Sequence, residues 1–191
     1  MNSTKLLVKS ILPVLAVLGF VLFPAFATTS HAKHPVEINS QVDFTLKVFT
    51  QQFPEAKHLL DSAKGVLVIP NEAKFGLGIG GEYGEGALRV NGRTVGYYNI
   101  AGGNFGFIAG AGEKDLVLLF MDQGALDHFR YSPDWTAGVD AAVTFVDNSK
   151  EQYRNVFSTK EPVVAFAFGE RGLIADASIE GAKFSRMIKG G

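Results

Sequence analysis

The sequence predicts an α+β fold: a curled or closed antiparallel β-sheet of about eight or nine strands with N-terminal helices packed on it. Three observations lead there. Val42, Leu46, Phe49 and Phe53 recur at 4-3-4 spacing, the period of one helix face. From Gly65 the pattern changes to period two, and 14 of the 22 glycines fall between Gly65 and Gly112. Asn91-Gly92 stands between two alternating segments, which is the signature of a two-residue type I′ hairpin. Strands joined by hairpins and not by helical crossovers make an antiparallel sheet, and glycines let it bend.

The chain opens with Lys5 and Lys9, an apolar run from Ile11 to Phe26, and small residues at Ala25 and Ala27 and again at Ser30 and Ala32. That order predicts a signal peptide over residues 1–32, cleaved after Ala27 or Ala32. The run is interrupted by Pro13, Gly19 and Pro24 and stops short of the ~20 apolar residues that span a bilayer. Residues 33–191 then form a single domain, large enough to bury a core without staples. The expected location is exported, periplasmic or secreted.

Removing Lys5 and Lys9 from the 18 basic residues leaves 16 against 19 acidic ones, a net charge of −3. Such a chain has no basic field to gather nucleic acid. It has no cysteine, which excludes disulfides, thiolate nucleophiles, thiolate metal sites and a lipidated N-terminal cysteine. Membrane attachment of the mature protein is expected to be non-covalent.

Two helices come first. Val42 to Phe53 carries the apolar stripe, and Pro54 with Glu55 starts a second helix whose buried side is Ala56, Leu59, Leu60 and Ala63. Gly65 to Pro70 reads as a short strand, Phe75 to Gly80 as a glycine-rich one, and residues 87–90 and 94–98 as a hairpin. Gly103 to Ala111 and Asp115 to Met121 continue the meander. Asp122 caps a short helix carrying Ala125, Leu126 and Phe129. Trp135 to Phe145 reads as one long strand, residues 147–160 as a polar surface excursion, and residues 163–168 and 173–179 as a closing hairpin.

Little in this pattern carries chemistry. Gly76-Leu-Gly-Ile-Gly-Gly81 satisfies G-x-G-x-x-G, but Glu82-Tyr-Gly-Glu-Gly86 follows where a dinucleotide site needs a helix N-terminus. None of His31, His34, His58 and His128 has a partner at metal-ligand spacing. Glu82 and Glu85 fall on opposite faces of a strand, and Asp176, Ser178 and Glu180 share the solvent face of another. No nucleophile, base and orienting group assemble. We expect no enzyme, no cofactor and no metal.

The amphipathic segments are more informative. Phe44 and Val48 lie about 160° from the Val42–Phe53 stripe, so a second apolar strip either faces lipid or is buried between the sheet and the next helix. Near the C-terminus Lys183, Arg186 and Lys189 alternate with Phe184, Met187 and Ile188, a pattern suited to anionic headgroups with shallow insertion. Trp135 is either a core or an interfacial anchor, core being the expectation.

Several ordered blocks, Ala63-Lys-Gly-Val-Leu-Val-Ile-Pro70, Lys74 to Gly86, Gly96-Tyr-Tyr98, Gly102-Gly-Asn-Phe-Gly106, Leu116 to Met121 and Gly172 to Gly181, resemble the SYLF domain. The resemblance runs from about Val42 to Met187. It implies a phospholipid-binding domain with no known catalytic activity, found in bacterial exported proteins and in eukaryotic endocytic and actin machinery. In eukaryotic members an N-terminal amphipathic helix contributes to phosphoinositide binding. The matching segment here is Val36 to Phe53, in which Lys47 is the one cation. The expected function is therefore non-catalytic binding to an anionic phospholipid surface of the cell envelope, through Phe44, Lys47, Val48, Lys183, Phe184, Arg186 and Met187. The competing expectation is an envelope structural or protein-interaction module that uses the same strip.

Overall fold

Helix α1 (Pro35–Gln52) starts where His34 caps it: His34 Nδ1 accepts the Val36 amide at 3.3 Å, and Pro35 fills the first turn, where no amide is needed. The computed structural model describes residues 33–77, 79–104, 109–146, 161–169, 172–173, 179 and 181–189. They belong to one compact unit within Ala32–Gly191. A 3₁₀ turn at Pro54–Ala56 and helix α2 (Lys57–Ser62) lead into the sheet.

Nine strands are described: β1 (Gly65–Leu77), β2 (Ile79–Val90), β3 (Arg93–Asn104), β4 (Ala109–Phe120), β5 (Asp134–Thr136), β6 (Val143–Val146), β7 (Val163–Gly169), β8 (Gly172–Leu173) and β9 (Lys183–Met187). Helix α3 (Gln123–Tyr131) lies between β4 and β5, and Asp122 Oδ1 accepts its Ala125 amide at 3.0 Å. The sheet order is β5-β9-β3-β2-β1-β4-β7-β6, with β8 paired to β7. Every pair of named strands is antiparallel except β6–β7, which is parallel, so the expected antiparallel sheet is in fact mixed.

Three strand boundaries differ from expectation. Pro70 and Asn71 do not end β1. They form a bulge, with Asn71 at φ 51° and its amide donated to Asp115 Oδ1 at 2.9 Å, and the strand resumes at Glu72. Phe75 to Gly80 is not one strand, because Leu77 pairs with Ile79 and Gly76 with Gly80, so the chain reverses there. The two strands expected between residues 94 and 111 become the single long β3, which ends at Asn104, and the start of β4. The type I′ hairpin stands as read, with Asn91 at φ 51° and Gly92 at φ 75°. The excursion at 147–160 and most of the closing hairpin lie outside the described residues.

The largest departure is Trp135 to Phe145. Gly138, at φ 78°, breaks this run, and the Thr136 amide donates to Asp140 Oδ2 at 2.7 Å. The two halves become β5 and β6, at opposite edges of the sheet. Eight flat strands would separate those edges by about 34 Å, whereas the link from Thr136 to Val143 reaches at most about 25 Å when extended. The link is also folded into a turn. The sheet must therefore curl until its edges approach, which makes it a half-barrel.

Curling gives the sheet two apolar faces. Leu67, Ile69, Leu116, Leu118, Phe120 and Ala165 point into the curl, where α3 adds Leu126 and Phe129. Val66, Val68, Val117, Leu119, Phe166 and Phe168 alternate outward and are covered by α1 and α2. Phe49 meets Phe166 edge-on at 4.9 Å, and Phe53 meets Phe168 at 5.4 Å. Trp135 is in the inner core, 5.4 Å from Phe129, as expected. Its indole N–H meets no acceptor among the described residues.

Candidate functional site

Helix α1 crosses the outer face obliquely, and its polar contacts mark the path. Asn39 Nδ2 donates to the Tyr97 hydroxyl at 2.8 Å, and the Thr94 hydroxyl donates to Asn39 Oδ1 at 2.7 Å, both on β3. Arg89 on β2 pairs with Asp43 at 2.6 Å. Gln52 reaches the Gly169 carbonyl at the end of β7. Ile38, Val42, Thr45 and Phe49 are thereby pressed onto the sheet.

The opposite stripe faces away from the protein. Val36 and Phe44 are each 67% exposed, and Ser40, Lys47 and Gln51 complete it at 4-4-3-4 spacing. Phe44 and Lys47 are thus exposed, which, of the two alternatives left open for this strip, is the outward one. Val48 is not. It is half-buried against the outer layer, because the register of α1 turns position 48 toward the sheet's edge. Among the described residues no helix is long and apolar enough to cross a membrane.

The C-terminal residues are scattered by strand formation. Residues 183–187 form β9, paired with β3 on one side and β5 on the other. Phe184 is a correction to the expected headgroup contacts: pairing with Ile100 turns its ring inward, 1% exposed and 5.5 Å from Trp135. Met187 turns outward and packs against the helix layer. Lys183 is exposed but engaged with Asp134 at 2.8 Å, and Lys183 and Ser185 hold the Asp134 carboxyl below its ordinary value. Arg186 and the fully exposed Ile188 line an open groove of about 580 Å³ with Thr94 to Tyr97. Tyr97 links that groove to α1 through Asn39.

Lys189 is not a free cation either. Its Nζ lies 3.0 Å from Glu85 Oε2 and 2.8 Å from the Lys33 carbonyl. Glu85 also accepts the Tyr83 hydroxyl at 2.8 Å and the Lys33 amide at 3.0 Å. Burial pushes the Glu85 carboxyl up, but the Tyr83, Lys189 and Lys33 interactions together outweigh it and hold the group below its ordinary value. The same contact, after burial, pushes the Tyr83 phenol up to about 12. Sequence reading missed this hub. Its one local signal was the outward alternation of Tyr83 and Glu85, whereas the Lys33 amide and the Lys189 ammonium that meet Glu85 lie 52 and 104 residues away.

Glu82 and Glu85 take opposite faces, as read. Glu82 joins Glu72 and Lys114 inside the curl. The G-x-G-x-x-G run lies along paired β1 and β2 with no helix after it, so no phosphate cradle forms. His128 Nε2 is 3.7 Å from Asp140 on the surface, and among the described residues no group of three or more His, Asp or Glu could hold a metal. Asp176, Ser178 and Glu180 lie outside the described residues.

Residues 101–187 match the family model described as Ysc84, Las17-binding protein actin regulator. A curated relative, beta cell expansion factor A of Aeromonas veronii, is 31% identical over 152 residues, covering 78% of this chain and 56% of that protein. The chain spans about half the length of the curated relative it matches.

Proposed function

We propose that this chain, which carries a SYLF (Ysc84) domain matched over residues 101–187, is a non-catalytic module that binds anionic phospholipid surfaces peripherally. The family is one of lipid-binding or actin-regulator-like modules. The observation that carries the finer reading is the outward stripe of α1, where Val36 and Phe44 are each 67% exposed beside the exposed Lys47. A phenyl ring moved from water into the acyl boundary gains about 1.5–3 kcal/mol when fully buried. A lysine near an anionic surface adds about 1 kcal/mol, and salt screens that part alone. The signal-like N-terminus supports an exported protein that meets the lipid at the cell envelope.

Flotation with vesicles of phosphatidylglycerol and phosphatidylcholine tests this. Phe44→Ala should float less at every ionic strength, while Lys47→Glu should recover as salt rises. Folded variants that float like the parent would sink the reading. A protein-docking module would then be favoured, a reading supported by the family's description as Las17-binding.

A further inference from the structure

Glu85 holds a main-chain nitrogen with a full negative charge, and that nitrogen belongs to the residue after Ser30-His31-Ala32, one of the two small-x-small cleavage patterns. The carboxylate is 4% exposed. Its Oε2 takes the Lys33 nitrogen at 3.0 Å and Lys189 Nζ at 3.0 Å, and its Oε1 takes the Tyr83 hydroxyl. The Lys33 carbonyl is held by Lys189 and the Lys33 ammonium by Gln41, itself bonded to Glu37 on α1. Strand β2, helix α1 and the segment after β9 thus fix every polar group of Lys33.

We infer that the chain is cut after Ala32 and that the α-ammonium of Lys33 so released seats on the buried Glu85 carboxylate beside Lys189, a site built for the protein's own processed N-terminus. The inference rests on the export reading. An uncut chain offers Glu85 only a neutral amide at this position. Hydrolysis of the Ala32–Lys33 peptide bond by water leaves a carboxylate on the departing leader and an amine on Lys33, which takes up a proton. The amine occupies the same place as the amide nitrogen, with two more donors and a charge. Charge-assisted bonds of this kind are roughly twice as strong as neutral ones. A carboxylate has about four lone-pair positions, enough for Lys33, Lys189 and Tyr83 together. Cleavage after Ala27 would instead place the free amine at Thr28 and leave Lys33 an interior amide.

The full-length chain, expressed with export, provides the test. N-terminal sequencing and intact mass of the exported product should give Lys33 as first residue. A second comparison uses Ala32→Tyr, which removes the small residue and shifts cleavage to Ala27. An amine beside a carboxylate has its folded value raised above the ordinary 7.7–8.0 or so. Its stabilisation is fully present below that range and is lost as pH rises through the folded value. The melting midpoint of the Lys33-start product should therefore fall by several degrees more between pH 6.5 and 9 than that of the Ala32→Tyr product, which shares Glu85, Tyr83 and Lys189. An exported product that begins at Thr28 overturns the inference alone, as do equal pH slopes for the two products. A protein that keeps Met1 overturns the export reading as well.

Discussion

Lys114 and Glu72 face each other across the β1–β4 pair inside the curl, with Lys114 Nζ 3.2 Å from Glu72 Oε1 and both side chains at 3% exposure or less. Glu82 stands 3.7 Å from the same ammonium. Two carboxyls therefore share one buried cation. Burial first, and Glu82 besides, push the Glu72 carboxyl up to about 8, against the opposing pull of Lys114. Protonating one of the two carboxyls leaves one negative charge facing one positive. The group sits on β1, β2 and β4 beyond the β1 bulge, at the glycine-rich end of the sheet, and gives that end of the curl a polar interior.

This arrangement predicts the effect of pH on Glu72→Gln. An acid raised above its ordinary value stabilises the fold fully at low pH and loses that contribution as pH rises through the folded value, here from about 4.5 to about 8. The slope contributed is at most about 1.4 kcal/mol per pH unit. Glutamine mimics the protonated acid. Urea titrations at pH 5 and pH 8 should show parent stability falling between them, and Glu72→Gln should fall less. Equal losses would refute the raised Glu72 carboxyl.

Lys114→Met should be costly where Glu72→Gln is not. Removing one partner of a buried ion pair typically costs about 3–5 kcal/mol, because the remaining charge stays buried. The double variant Lys114→Met/Glu72→Gln should recover part of that loss. Chemical denaturation of the three proteins measures the coupling, and simple additivity would mean that the two side chains act independently.

Phe184 and Phe44 should separate stability from binding. Truncating the buried Phe184 to alanine removes contacts with Trp135 and Phe129, at a cost of about 3–5 kcal/mol. Phe44→Ala, on an exposed stripe, should change stability by no more than about 0.5 kcal/mol. Thermal melts decide. A large loss for Phe44→Ala would place that ring in the core and remove it from the proposed lipid contact.

Gly86→Ala should unfold or strongly destabilise the protein. A Cβ at this position would overlap the Val68 carbonyl oxygen and lie 2.7 Å from the Val68 carbonyl carbon and 2.9 Å from Ile69 Cα, all backbone. No side-chain rotation relieves such an overlap. The approach is close because β1 bends at its bulge, between Val68 and Ala73, and presses onto β2. Gly92→Ala, with open space around it, should cost only the strain of its φ of 75°. Melting midpoints should rank Gly86→Ala well below Gly92→Ala, and the reverse order would mean that β1 yields easily at Val68.

Glu85→Gln should loosen both ends of the domain at once. Hydrogen bonds to charged groups contribute about 1.5–3 kcal/mol, and glutamine keeps the shape of the side chain but removes the charge and turns one of its two accepting oxygens into a donor. Because the Glu85 carboxyl is held below its ordinary value, its contribution is present above about pH 4.5 and is lost as pH falls through the lowered value. Parent and variant should therefore differ most at neutral pH and converge in acid. Hydrogen exchange should quicken in the first turn of α1 and along β9 together, and protection lost in only one of them would separate the two ends.

Local physical chemistry was enough to read the elements whose determinants lie close together in the chain. The 4-3-4 stripe made α1 and named two of its buried residues, Val42 and Phe49, Asp122 began α3, and Asn91-Gly92 closed a hairpin, since each depends on residues within one or two turns. The same reading placed Glu82 and Glu85 on opposite faces and found no helix after the glycine motif. Most of the α+β architecture follows from these.

Tertiary structure decided what period alone leaves open. Trp135 to Phe145 alternates like one strand, yet Gly138 divides it, and the halves pair with β9 and β7 at opposite edges. Alternation says that Phe184 and Met187 lie on different faces, but pairing with Ile100 and Tyr97 decides which face is core. Exposure of Phe44 and partial burial of Val48 depend on how α1 lies across β1 and β2. Lys189 resembles any solvated terminal lysine until the fold brings it to Glu85, 104 residues away. Periodicity records a residue's direction relative to its neighbours, whereas what stands in that direction is set by strand pairings that close long loops and so leave no local trace.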